Sequence, residues 1–111
     1  MDAVSLSIVA EEELEHARGA SSCRSARTIH GGRDRVLRET VIALLAGHDL
    51  AEHESPGEAT VQVLHGHVRL VSAGEAVDGI VGDHLIVPPD RHALAAVEDS
   101  VVLLTVAKPA W

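Results

Sequence analysis

Apolar and polar positions alternate in two different ways along this chain, and the change of period divides it. Residues 8–18, IVAEEELEHAR, carry apolar side chains at helical spacing; Ser7 can accept a bond from an early backbone N–H, three Glu sit where a helix dipole favours them, and Gly19 stops the run. The spacing predicts one short surface helix, with Glu11, Glu12 and Glu13 as its solvated start. The following GASSCRS reads as a loop, and residues 26–30 as a short strand before the Gly31-Gly32 turn. From Arg35 onward the period falls to two. Strands are predicted over 35–46, 49–54, 58–65, 67–73, 75–80, 83–88, 92–97 and 100–107, separated by Gly47, Pro56-Gly57, Gly66, Gly74, Gly82 and Pro88-Pro89-Asp90. No stretch after residue 35 offers a crossover helix, so the pattern describes an all-β sandwich or barrel rather than βαβ units. In the run 58–64, Ala59, Val61 and Val63 alternate with Glu58, Thr60 and Gln62, which places the odd positions in the core.

Composition narrows the chemistry. The 111 residues include no Phe, no Tyr and one Trp, so the core is aliphatic and stacking platforms for nucleic-acid bases are excluded. A net charge of −8 also disfavours nucleic acid and anionic membranes as partners. Against that background Arg24, Arg27, Arg33, Arg35 and Arg38 cluster within residues 21–40. They read as solvated edge or subunit-contact residues, with an interaction surface for an acidic partner as the sharper alternative. Cys23 is the single cysteine, which excludes an intrachain disulfide and a CxxC site. The N-terminus lacks the basic residue and cleavage site of a secretory signal, and no apolar run approaches the ~20 residues of a membrane span, so the expected location is cytoplasmic.

Eight His remain as the carriers of chemistry. His65 and His67 flank Gly66 and read as exposed hairpin residues; His16 and His30 read as surface residues. The other candidates fall in two blocks. The first runs from Gly47 through His53 to Gly66, and the second from Gly82 through Pro88 to His92. Their order, the spacer between them and the all-β setting resemble the two motifs of the cupin superfamily: G, five residues, HxH, three or four residues, E, six residues, G; then G, five residues, PxG, two residues, H.

That resemblance covers about residues 36–107 and implies a cupin-type double-stranded β-helix, or jelly-roll barrel, with a short N-terminal helix. The implied division is an N-terminal helix and arm over 1–34 and a barrel over 35–111 within a single domain. Gly47, His53, Gly66, Gly82 and Pro88 match the motifs. Ser55 stands in place of the second His and Ala59 in place of the Glu, Asp90 replaces the Gly of PxG, and His92 arrives one residue early. In metal-binding cupins these positions converge on an ion such as Zn, Fe, Mn or Ni. Here the resemblance carries only His53 and His92 over as ligands, with His84 as the spare imidazole, whereas a catalytic metal commonly has three or more protein ligands.

The first functional expectation is therefore a small-molecule pocket in the barrel, lined by His53, Ser55, Ala59, Val61, Val63 and His92, since small apolar walls with a few polar groups suit a ligand site. The alternative is a metal-dependent cupin enzyme, a dioxygenase, isomerase or lyase, using His53 and His92. The resemblance also implies a homodimer contacting through residues near 25–45. A strand such as VIALLA, which needs cover on both faces, agrees with it.

Overall fold

A computed structural model describes residues 1–53 and 57–108, with residues 52 and 53 described by their backbone alone. Helix α1 (Leu6–Gly19) is followed by β1 (Arg24–His30), β2 (Leu37–Leu44), β3 (Asp49–His53), β4 (Glu58–His65), β5 (His67–Ser72), β6 (Glu75–Ile80), β7 (His84–Ile86), β8 (His92–Ala96) and β9 (Ser100–Ala107). The described strands form two antiparallel sheets, one ordered β1-β2-β9-β4-β7 and the other β3-β8-β5-β6. This is the all-β jelly-roll arrangement expected from the strand spacing.

Strand parity decides what fills the space between the sheets. Ala59, Val61 and Val63 on β4 are all buried, as the alternation predicts, and they meet Val68 and Leu70 of β5, Leu94 of β8 and Val102 of β9. Gly79 lets the sheets approach closely at the β6 edge, because a Cβ there would stand 3.2 Å from both Val63 and Leu85 side-chain carbons. The interior is thus a narrow aliphatic slab.

A second apolar cluster lies on the opposite face of the five-stranded sheet. Val9, Ala10, Leu14 and Ala17 of α1 pack onto Val41 and Ala43 of β2 and Val101 and Leu103 of β9. The helix begins two residues before the predicted start. Ser5, not Ser7, is its N-cap, accepting the Ile8 N–H at 3.3 Å. The earlier start adds Leu6 to the apolar stripe. VIALLA is consequently covered on both sides, by the facing sheet and by α1. No described helix is long and apolar enough to cross a membrane.

Glu13 departs from the solvated reading. It sits within the buried stripe of α1, where its side chain is 3% exposed. Arg27 of β1 donates to its Oε2 from Nε at 3.1 Å and Nη2 at 2.8 Å, and Ser25 donates to Oε1 at 2.5 Å. Helical spacing alone put Glu13 beside Ala10 and Ala17; the partner that makes its burial tolerable lies on a strand 14 residues later.

Candidate functional site around His92

On β8, His92, Leu94 and Ala96 point inward while Ala93 and Ala95 are less buried. His92 is a buried imidazole, 6% exposed, at the end of the strand. Its Nδ1 lies 3.0 Å from the backbone oxygen of Asp90. A carbonyl only accepts, so Nδ1 carries the proton and Nε2 is the acceptor or ligand atom of the neutral ring. Asp90, which replaces the motif's glycine, thereby orients the ring through its backbone.

The backbone of β3 places His53 directly opposite His92, after a shift of register between Leu50 and His53. Ser72 of β5 is His92's partner on the other side. The two histidines singled out from the motifs are thus cross-strand neighbours at one end of the four-stranded sheet. Ser55 lies outside the described residues.

Other expected positions behave differently. His84 is exposed on β7, whose alternation turns Leu85 inward, so it does not join His92 as a ligand. Ala59 and Val63 are core residues without a share in the void beside His92. That void is about 40 Å³ and is lined by His92, Val61, Leu70, Val87 and Leu104 among others. A site for one small organic molecule spans about 300 Å³ or more, so this space suits a few water molecules. Among the described residues, Val and Leu side chains fill the rest of the space between the sheets beside His92.

More room lies outside, next to the same strand end. A groove of about 260 Å³ is walled by Leu70, Ser72, Val77, Ile86, Pro88 and Asp90, with Glu75 at its edge. Ser72 donates to the Arg91 carbonyl at 2.8 Å and so holds the turn that carries Asp90 against β5. Leu70 borders both groove and void. No group of three or more His, Cys, Asp or Glu close enough to hold a metal ion occurs among the described residues. Among the described residues the donor set therefore does not amount to a metal centre.

A polar cluster that sequence reasoning missed lies on the outer face of the four-stranded sheet. Asp78 of β6 receives Arg69 Nε at 2.7 Å and Nη2 at 3.0 Å, and His67 Nε2 stands 2.9 Å from its Oδ2. Hydrogen bonds from Arg69 and then His67 hold the Asp78 carboxyl well down, at a pKa of about 2. The signal was available: the Ala73-Gly74 turn pairs Arg69 with Asp78 once the hairpin is centred on it.

Neither a family model nor a curated protein matches the chain. Solved structures do. A conserved protein of unknown function from Streptococcus pyogenes is 32% identical, with a TM-score of 0.73 over 83% of this chain and 80% of that one. An RmlC-like cupin protein from a Desulfovibrio desulfuricans subspecies is 25% identical, with a TM-score of 0.66 over 76% of this chain and 81% of that one. An HTH_3 family transcriptional regulator from Vibrio cholerae is 25% identical, with a TM-score of 0.66 over 78% of this chain and 51% of the regulator. With its two motif blocks falling along the strands of a jelly roll and with cupins among its structural neighbours, this chain has the cupin superfamily fold.

Proposed function

We propose that this small cupin binds a small molecule at the His92 end of the barrel, in the external groove rather than between the sheets. The carrying observation is the contrast in space: about 260 Å³ beside Asp90 and Ser72 against about 40 Å³ inside. The groove offers an apolar floor from Leu70, Val77 and Ile86 with polar groups at its margin. Such a mixture holds a compact, partly apolar ligand through burial and orients it through hydrogen bonds. A fragment library screened by amide NMR tests the reading. Ligands are expected to shift residues 70–77 and 86–92 and to lose binding in Val77→Trp, which fills the groove. Hits confined to other surfaces would overturn it.

The cross-strand placement of His53 and His92 supports a second reading, a metal-dependent cupin enzyme with these two residues as ligands. Its further donors would have to come from outside the described residues. Titration of metal-stripped protein with Zn²⁺ and Mn²⁺ separates the readings: tight stoichiometric binding abolished in His92→Ala supports the metal centre, and unchanged binding in that variant rules it out.

A further inference from the structure

We propose that the β1–β2 hairpin is a docking surface for an acidic polypeptide segment. Acids outnumber bases in this chain by 17 to 9, so a surface Arg readily finds a carboxylate. Arg18, Arg27 and Arg69 each do. Arg24, Arg33, Arg35 and Arg38 are all exposed, and the ion pairs of the described residues include none of them. Four guanidinium groups outside any ion pair of the described residues, against the one carboxylate of Asp34 in the same fifteen residues, are a local inversion of charge in an acidic chain. Lys108 adds another positive charge, since its ammonium donates to the Gly32 carbonyl at 2.9 Å in the turn that carries Arg33 and Arg35.

The fold gives this charge a shape. Among the described residues β1 is the edge strand of its sheet and pairs only with β2. Arg24, Ala26 and Thr28 are exposed although they lie on the side that faces the barrel interior further along the sheet, so the four-stranded sheet does not extend over β1. A step results, with a polar cleft of about 440 Å³ beside it lined by Thr28, His30 and Arg35 together with Asp2 of the N-terminal arm. Between Arg35 and Arg38 stand Val36 and Leu37, 56% and 45% exposed. Two apolar side chains bracketed by guanidinium groups fit a segment in which carboxylates flank apolar residues.

Charge elsewhere selects the kind of partner. A nucleic acid would bring its whole phosphate backbone against a molecule of net charge −8, with Glu11, Glu12 and Glu15 on the neighbouring helix and no Phe, Tyr or Trp in the described residues to stack a base. A short peptide confines its charge to the patch, within about one Debye length, ~8 Å at physiological salt.

The test uses the full chain and a fluorescent peptide of alternating Asp and Leu, read by anisotropy at low and physiological salt. Saturable binding is expected, weakened about tenfold in Arg33→Glu/Arg35→Glu and less than about twofold in Arg18→Glu, because only the former reverses charge at the patch. Arg33→Lys/Arg35→Lys should retain most of the affinity. Amide NMR of the unaltered chain provides a readout without substitutions, with shifts expected within residues 24–38 and at Lys108. The proposal is overturned by the absence of saturable binding at low salt, by shifts confined to other surfaces, by equal losses in the Arg18→Glu control, or by tighter binding of a single-stranded DNA of equal charge.

Discussion

Glu13 on α1 and Arg27 on β1 form a charge pair whose carboxylate is almost wholly buried, with Arg27 Nη2 2.8 Å from Glu13 Oε2. Burial pushes the Glu13 carboxyl up, but the hydrogen bonds from Ser25 and Arg27 and the Arg27 charge outweigh it, leaving the pKa below its ordinary value. The pair fastens the helix to the sheet at the centre of an otherwise apolar contact. Removing Arg27 strands a buried carboxylate, so Arg27→Met is expected to cost about 2 kcal/mol in urea unfolding; Arg27 is 38% exposed, which keeps the loss below that of a fully enclosed pair. Glu13→Gln, which keeps a group able to accept from Ser25, should cost less than Arg27→Met. Equal stability of Arg27→Met and wild type would show that the contact is only apolar.

Asp78 sets an acid limit of a different kind. Its pKa is depressed from an ordinary 3.8 to about 2, so the native state holds the carboxylate more strongly than the unfolded chain does. The stabilisation is therefore fully present above about pH 4 and is lost as pH falls through 2. Carboxyl NMR should show Asp78 titrating near 2, returning towards the usual range in Arg69→Gln. Between pH 4 and 2 the melting temperature of Asp78→Asn should fall less steeply than that of wild type. An Asp78 midpoint near 3.8 in the intact protein would remove the basis for both.

The fold was legible because its strands alternate cleanly. Ala59, Val61 and Val63 announce an inward face by parity alone, and Gly and Pro mark the turns between strands. Parity also separates His84 from His92 once each strand's apolar side is known, since Leu85 turns inward on β7 and Leu94 on β8. Three things depended on distance along the chain and stayed hidden. Pairing of Glu13 with Arg27 requires knowing that α1 lies on β1. The small size of the void that the described residues leave beside His92 depends on side chains that meet from two sheets, which no single strand records. The groove beside Ser72 joins residues from β5, β6 and the β7–β8 connection.

Gly66, at the corner where the chain passes from β4 in one sheet to β5 in the other, and Gly74, in the β5–β6 hairpin, both have positive φ, 82° and 79°, yet they should respond differently to one added methyl group. A Cβ on Gly66 would lie 2.2 Å from the Asp99 carbonyl oxygen and 2.9 Å from Ser100 Cα. That region is held tightly, because Ser100 Oγ accepts the His67 N–H at 3.0 Å. Gly74 has no such neighbour within 4 Å. Gly74→Ala is expected to cost about 1 kcal/mol, the penalty of left-handed backbone alone, whereas Gly66→Ala must also displace main chain and should cost roughly 3 kcal/mol or more. Thermal unfolding of the pair checks this, and similar losses would mean that the 98–100 turn yields freely.

Removal of α1 is expected to change the association state. The helix covers Val41, Ala43, Val101 and Leu103, which are at most 9% exposed in the intact chain. The apolar outer side of β2 is thus satisfied within one chain, and its hydrophobicity no longer argues for a second subunit. Without residues 1–20 those four side chains form a contiguous apolar patch on a sheet face, and Glu13 no longer neutralises Arg27. The truncated protein should self-associate at micromolar concentration, seen by light scattering after gel filtration as a greater mass relative to its chain length than the full protein shows. Leu103→Lys, placed at the middle of the bared face, should restore the smaller species in the truncated protein. If the truncated chain instead keeps the full protein's association state and stays folded, α1 is not the cover that this face requires.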